Sequence, residues 1–137
     1  MGEKIICDWK DDMAFETEVN GFKITLDADK KVGGKDRGPR PKPLLLVSLA
    51  GCTSMDVKSI LTKMRVFPDS FRTEAEGEMT EEHPRHFHKI HLRYIFKGKA
   101  LPEDKIEKAV SLSQNKYCGV TTMLEKAAEI THEIIIE

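Results

Sequence analysis

The alternation of apolar and polar positions first predicts three short strands at the N-terminal end of the chain. Asn20-Gly21 separates the second strand from the third, and this pair is a strong signal for a type I′ hairpin because both residues tolerate positive φ. Residues 30–43 are rich in Gly, Pro, Lys and Arg and have no apolar period, which predicts a mobile loop. The predicted strands are Lys4–Trp9, Ala14–Val19 and Phe22–Leu26.

The next segment, Pro43–Met64, has the pattern of a long helix. Its first half is apolar nearly all round, while charged residues appear only in the later turns. We therefore expect a buried first half and an amphipathic second half. Phe67-Pro68 ends the helix, because proline cannot continue it.

The remaining sequence predicts two longer strands, two helices and a final strand. In the second long strand every other residue is apolar, which is typical of a strand buried on one face. Acidic residues after Pro102 match the positive end of a helix dipole. The elements are strands Phe71–Met79 and Phe87–Lys97, a helix from Leu101, an interruption at 115–119, a helix Val120–Ala128 and a strand Ile130–Ile136.

Composition adds limits on function and location. The length of 137 residues fits one domain, 1–137, and 22 basic residues against 23 acidic ones favour neither nucleic acid nor an anionic membrane as a partner. The longest apolar run, Leu44–Cys52, has about nine residues, whereas a membrane helix needs roughly 20. The sequence does not open with a charged segment followed by an apolar stretch, the pattern that is typical of a targeting segment. We therefore expect a cytoplasmic protein without a membrane segment.

The three cysteines are too few for a secreted disulfide scaffold, and no Cys-x-x-Cys pair suggests zinc. Cys118 lies at a predicted helix start, where unpaired backbone N–H groups favour a thiolate. Cys52 is in mid-helix, so only a tertiary contact can activate it. Taken singly, each cysteine is also well explained as a small core residue, and we expect this for Cys7 on the first strand.

The order of motifs along the whole chain resembles the OsmC/Ohr family of cysteine peroxidases, and most closely its YhfA-like branch. The resemblance depends on the segments 48–57, Ile60–Met64, His83-Pro84-Arg85, Leu112–Cys118 and Thr121–Lys126.

This resemblance implies an α+β, OsmC-like fold with antiparallel strands around a long central helix and an intertwined homodimer. It also implies reduction of organic hydroperoxides without a cofactor. Cys52 matches the peroxidatic cysteine and Cys118 the resolving cysteine, joined by an intramolecular disulfide in the oxidised state. An external dithiol would reduce that disulfide, and in the Ohr branch lipoylated protein does so.

One position departs from the family pattern. The peroxidase branches have a glutamate at the start of the long helix, whereas this chain has Arg40-Pro41-Lys42-Pro43-Leu44 there. Arg37, Arg40 and Lys42 are candidates to supply positive charge to Cys52, and the sequence does not distinguish among them. A second hypothesis is therefore a non-catalytic OsmC-like dimer that binds a small hydrophobic ligand.

Four histidines fall within nine residues, and imidazole is a common metal ligand. On a strand, His86 and His88 share one face and His91 lies on the other, and the spacing matches no established metal motif. We therefore expect no metal site and interpret these residues as polar positions at the solvated end of a strand. The four are His83, His86, His88 and His91.

Overall fold

A computed structural model describes residues 2–137 of the chain. The elements are strands β1 (Cys7–Asp11), β2 (Ala14–Val19) and β3 (Phe22–Leu26), a 3₁₀ turn (Lys30–Val32), helix α1 (Pro41–Lys63), strands β4 (Ser70–Met79) and β5 (Phe87–Lys97), helix α2 (Glu103–Leu112), a π-helical turn (Ser113–Tyr117), helix α3 (Gly119–Leu124) and strand β6 (Glu129–Ile136). They form two compact units, one ending at Leu45 and the other spanning Leu46–Glu137. The prediction of one domain stays a prediction.

The N-terminal unit is built on an antiparallel sheet in the order β1-β2-β3. The predicted hairpin is confirmed, because Asn20 and Gly21 both have positive φ (52° and 87°) and Val19 pairs with Phe22 across the turn. Cys7 was expected in the core, and this prediction is wrong for the single chain, in which Cys7 is exposed. Every residue of β1 is exposed, so this edge strand contributes no buried side chain.

Hydrogen bonds to Asp27 anchor part of the loop after β3, and its mobility stays a prediction. Asp27 is buried and accepts hydrogen bonds from the backbone N–H groups of Ala28, Lys35 and Arg37 and from Nε of Arg37. A Cβ on Gly38 would lie 2.0 Å from the carbonyl oxygen of Thr25, so only glycine permits this close approach. The loop therefore folds back against the end of β3.

The second unit contains a sheet in the order β4-β5-β6. β4 and β5 are antiparallel, as expected, whereas β5 and β6 are parallel. The predicted alternation of the central strand β5 is confirmed, because every other side chain from Ile90 to Phe96 is buried. These side chains, Ile90, Leu92, Tyr94 and Phe96, form the centre of the hydrophobic core.

Helix α1 buries one stripe of side chains spaced four residues apart, Leu49, Thr53, Val57 and Leu61. The expected burial of the first half of this helix is wrong for the single chain, because every helix residue before Leu49 is exposed or half-buried. By length and mean hydropathy this helix could cross a membrane. We interpret it as a core helix instead, because its stripe packs in the core of the second unit and its later turns carry charge.

The segment between α2 and α3 confirms the predicted interruption of the helical pattern. The Cys118 N–H donates to the carbonyl oxygen of Ser113 at 2.8 Å, which closes a turn one residue wider than an α-helical turn. Cys118 then has an extended backbone and begins α3. π-turns of this kind occur often at functional sites.

Candidate active site

The second unit brings the two predicted cysteines together. The Cys52 and Cys118 sulfurs and a carboxylate oxygen of Asp56 all lie within 4.8 Å of one another. Cys118 is buried, and Cys52 and Asp56 are half-buried. The pairing that the resemblance implied is thus compatible with the positions of the sulfurs, although the roles of the two residues stay predictions.

Helix periodicity places Asp56 beside Cys52. The two residues are four positions apart on α1, so their side chains lie one above the other on the same face. Sequence reasoning missed Asp56, although this spacing is a signal that could have identified it. The carboxylate is fixed in turn by Ser113, whose hydroxyl donates to Asp56 Oδ2 at 3.1 Å.

The π-turn and the start of α3 position Cys118. Its sulfur accepts the N–H of Thr121 at 3.4 Å, so the side chain caps α3. This confirms the prediction that Cys118 lies at a helix start. The preceding amide, Val120 N–H, donates to the sulfur of Cys52. Two successive amides of one helix terminus thus contact the two sulfurs.

The surroundings of Cys52 favour the neutral thiol. Burial is the main cause that raises the pKa of Cys52, and the neighbouring Cys118 and Asp56 raise it further. The hydrogen bond from Val120 N–H acts in the opposite direction, because it stabilises a thiolate. The net direction is upward, so local structure in the single chain does not activate this cysteine.

Two of the three cations considered for Cys52 have other partners. The Arg37 guanidinium contacts Asp27 at 2.9 Å and also Asp11, and Arg40 contacts Asp36 and Asp29. The hydrogen bond from Arg37 is the main cause that lowers the pKa of Asp27 to about 2. All these aspartates belong to the N-terminal unit. Activation of Cys52 by Arg37, Arg40 or Lys42 stays a prediction.

A buried hydrogen-bond network adjoins the two cysteines, and it was not predicted from the sequence. Thr53 Oγ1 bonds to Tyr94 Oη at 2.7 Å and to Ser113 Oγ at 2.8 Å. Gln114 Nε2 donates to Tyr94 Oη at 2.7 Å and to Thr53 Oγ1 at 3.1 Å. Burial raises the pKa of Tyr94 to about 12, so the phenol stays protonated. The network joins α1, β5 and the π-turn.

The location of this network explains why the cysteines are held close. Thr53 follows Cys52 directly, and Ser113 and Gln114 open the turn that ends at Cys118. Buried polar groups that satisfy one another tolerate little displacement, because each lost bond leaves a buried donor or acceptor unpaired. The network therefore fixes the π-turn against α1.

A surface pocket of about 420 Å³ begins at Asp56. The side chains of Ile60, Leu112 and Tyr117 form its apolar walls. Lys63 also lines it, two turns beyond Asp56 on the same face of α1. Neither cysteine lines this pocket, and Asp56 is the residue that it shares with the group around the two sulfurs.

The histidines contact their strand neighbours. His91 bonds to Thr131 Oγ1 at 2.7 Å and to Glu133 Oε2 at 2.6 Å, and His88 lies 3.5 Å from Glu78. Among residues 2–137, the only group of three or more His, Cys, Asp or Glu side chains close enough to share a metal is the one formed by Cys52, Asp56 and Cys118.

Comparison with known proteins identifies related chains. A family model described as OsmC-like protein matches residues 33–133. The protein YhfA of Escherichia coli K12 is 37% identical over 125 residues, which is 90% of each chain. A solved structure from Aquifex aeolicus has a TM-score of 0.83 and 29% identity, and covers 100% of this chain and 98% of its own. An organic hydroperoxide resistance protein OsmC from Legionella pneumophila shares the fold, with a TM-score of 0.71, 12% identity and 97% coverage of both chains.

Proposed function

Because the chain belongs to the OsmC-like protein family, we propose that it is a thiol-dependent peroxidase that reduces organic hydroperoxides. The observation that carries this proposal is the separation of at most 4.8 Å between the Cys52 and Cys118 sulfurs. A disulfide bond is about 2.05 Å long, so side-chain rotations that move the sulfurs a few ångströms closer would let them bond. The Legionella protein of the same fold is named for hydroperoxide resistance.

The chemistry assigns a different step to each cysteine. The Cys52 thiolate attacks the distal oxygen of the hydroperoxide, the O–O bond breaks, and the alkoxide takes a proton and leaves as an alcohol. Cys52 is then a sulfenic acid. The Cys118 sulfur attacks this group, a disulfide forms, and the hydroxyl leaves as water with the proton of the Cys118 thiol. An external dithiol supplies the two electrons that restore both thiols.

Activation of Cys52 is the demanding step in this sequence. Its pKa is raised by burial and by its neighbours, so only a small fraction is thiolate at neutral pH in the single chain. The Val120 N–H is the group that supports the thiolate. We expect slow peroxide reduction unless a further cation reaches the site.

The pocket beside Asp56 favours an apolar substrate. Ile60 and Leu112 offer apolar surface there, and each methylene that leaves water contributes about 0.8 kcal/mol. An alkyl or acyl hydroperoxide should therefore react with a higher kcat/KM than hydrogen peroxide. Equal or better turnover of hydrogen peroxide would exclude this preference.

We further propose that the protein is a cytoplasmic homodimer. Val47 and Met55 on α1 are 63% and 75% exposed in the single chain, and a second copy would remove them from water. Sedimentation analysis of the full chain tests this: a monomer at all concentrations would contradict it, and the double variant V47K/M55K should dissociate a dimer.

The decisive experiment adds one equivalent of cumene hydroperoxide to the reduced protein and locates oxidised residues by mass spectrometry. We expect loss of two hydrogens, assigned to a bridge between Cys52 and Cys118. In the Cys118→Ser variant the reaction should stop at a sulfenic acid on Cys52. The Cys52→Ser variant should consume no peroxide. Cys7→Ser is the matched control, because Cys7 is exposed on β1, and it should behave as the unchanged protein.

A ligand-binding protein without peroxidase activity is the second candidate. The raised pKa of Cys52, together with the pocket at Asp56, favours it. Unchanged thiols after hydroperoxide treatment, combined with saturable binding of a small apolar ligand that Leu112→Lys abolishes, would support this function over the first.

A further inference from the structure

The group formed by Cys52, Asp56 and Cys118 also has the donor atoms of a metal site. Its three ligand atoms come from two segments distant in sequence, the middle of α1 and the start of α3. Two sulfurs and one carboxylate oxygen are a soft to borderline donor set, which suits zinc and disfavours magnesium, calcium and manganese.

The distances are close to those that zinc requires. With Zn–S bonds of about 2.3 Å, two sulfurs in a tetrahedral site are about 3.8 Å apart. The three ligand atoms lie within 4.8 Å of one another, so a closure on the order of 1 Å brings them to this geometry. Three protein ligands leave the fourth position open to water, as in catalytic zinc sites.

Each ligand already has a hydrogen-bond donor that orients it. The Ser113 hydroxyl donates to Asp56 Oδ2, the Val120 N–H donates to the Cys52 sulfur, and the Thr121 N–H donates to the Cys118 sulfur. Outer partners of this kind fix the direction of metal ligands and commonly change affinity 10–100-fold.

We propose that the reduced protein binds one zinc ion through the sulfurs of Cys52 and Cys118 and the carboxylate of Asp56. Both thiols lose their protons to solvent on binding. The ion and a hydroperoxide compete for the same two sulfurs. Oxidation to the disulfide removes both sulfur ligands, so the oxidised protein releases the ion.

Cobalt titration of the full-length, reduced and metal-free protein tests this proposal. We expect one Co²⁺ per chain, a thiolate-to-cobalt charge-transfer absorption, and displacement of Co²⁺ by Zn²⁺. The disulfide form should show no such absorption. Asp56→Asn should weaken binding at least tenfold and Ser113→Ala roughly tenfold, whereas Cys7→Ser should bind as the unchanged protein.

Two results would overturn the proposal: no charge-transfer absorption in the reduced protein, or an absorption that survives in both Cys52→Ser and Cys118→Ser. Circular dichroism of each variant separates lost ligation from lost folding, and Asp56→Glu, which keeps the carboxylate, should retain binding better than Asp56→Asn. Hydroperoxide consumption is measured separately with a chelator present. Consumption without cobalt binding contradicts only the zinc proposal, and cobalt binding without consumption contradicts only the peroxidase proposal.

Discussion

The Cys118 sulfur accepts the N–H of Thr121 at 3.4 Å while lying within 4.8 Å of the Cys52 sulfur. One side chain thus caps α3 and faces the partner with which it would form a disulfide. A disulfide requires the two sulfurs to be about 2.05 Å apart, so at least one of them must move. We expect the Cys118 sulfur to move toward Cys52 and to lengthen its contact with the Thr121 N–H, which would couple oxidation to the first turn of α3.

We expect this coupling to appear in hydrogen exchange. Loss of an N-cap costs about 1 kcal/mol, so the Thr121 amide should exchange several-fold faster in the oxidised protein than in the reduced protein. Amides in the centre of β5 are the internal control, because they lie in the core and should exchange equally in both forms. Equal protection of Thr121 in both forms would show that the cap survives oxidation.

Alkylation of Cys52 should depend steeply on pH. Because the pKa of Cys52 is raised above the ordinary value of about 8.5, the thiolate fraction should still increase with pH beyond that value. Iodoacetamide labelling of the metal-free protein, quantified at each cysteine by mass spectrometry, measures the midpoint. A midpoint below 8.5 would mean that another group activates the thiol.

Replacing Asp56 should make Cys52 more acidic. The carboxylate opposes formation of a nearby negative charge, so Asp56→Asn should shift the alkylation midpoint to lower pH and accelerate labelling at pH 7. The same substitution should weaken metal binding. Asp56→Asn should therefore increase the rate of Cys52 alkylation at pH 7 and decrease the affinity for the metal. Asp69→Asn, which removes an exposed carboxylate in the turn before β4, should change neither readout.

The buried network should contribute measurably to stability. Thr53→Val keeps the shape of the side chain but leaves Tyr94 Oη and Ser113 Oγ each without one partner, so the free energy of unfolding should fall by about 1–3 kcal/mol. Urea denaturation measures the change. Thr62→Val, an exposed position on the same helix, should change it by no more than about 0.5 kcal/mol.

Asp27 should stabilise the N-terminal unit only when it is ionised. Its folded pKa of about 2 lies below the usual value near 3.9, so its contribution is present above pH 4 and is lost as pH falls toward 2. Asp27→Asn should lower the urea midpoint at pH 7, and the difference from the unchanged protein should shrink below pH 4. Asp36→Asn, at an exposed position, should have a much smaller effect.

Local sequence was sufficient for most elements. The alternation in β5, the turn at Asn20-Gly21 and the break before Cys118 depend on residues close together in the chain, and the structure confirms all three. Predictions about burial were weaker. Cys7 and the first half of α1 are apolar in sequence but exposed in the single chain, because burial depends on what packs against a segment and not on its composition.

The sequence by itself determined the order of the elements, the family and the two cysteines of interest. Only the tertiary structure decided most of the surroundings of those cysteines. Asp56 lies beside Cys52 along α1 itself, whereas Cys118, the Val120 N–H and the partners of Thr53 reach the site through tertiary packing. A thiol titrates according to the burial and charge within a few ångströms, and residues more than 60 positions apart in sequence supply that environment.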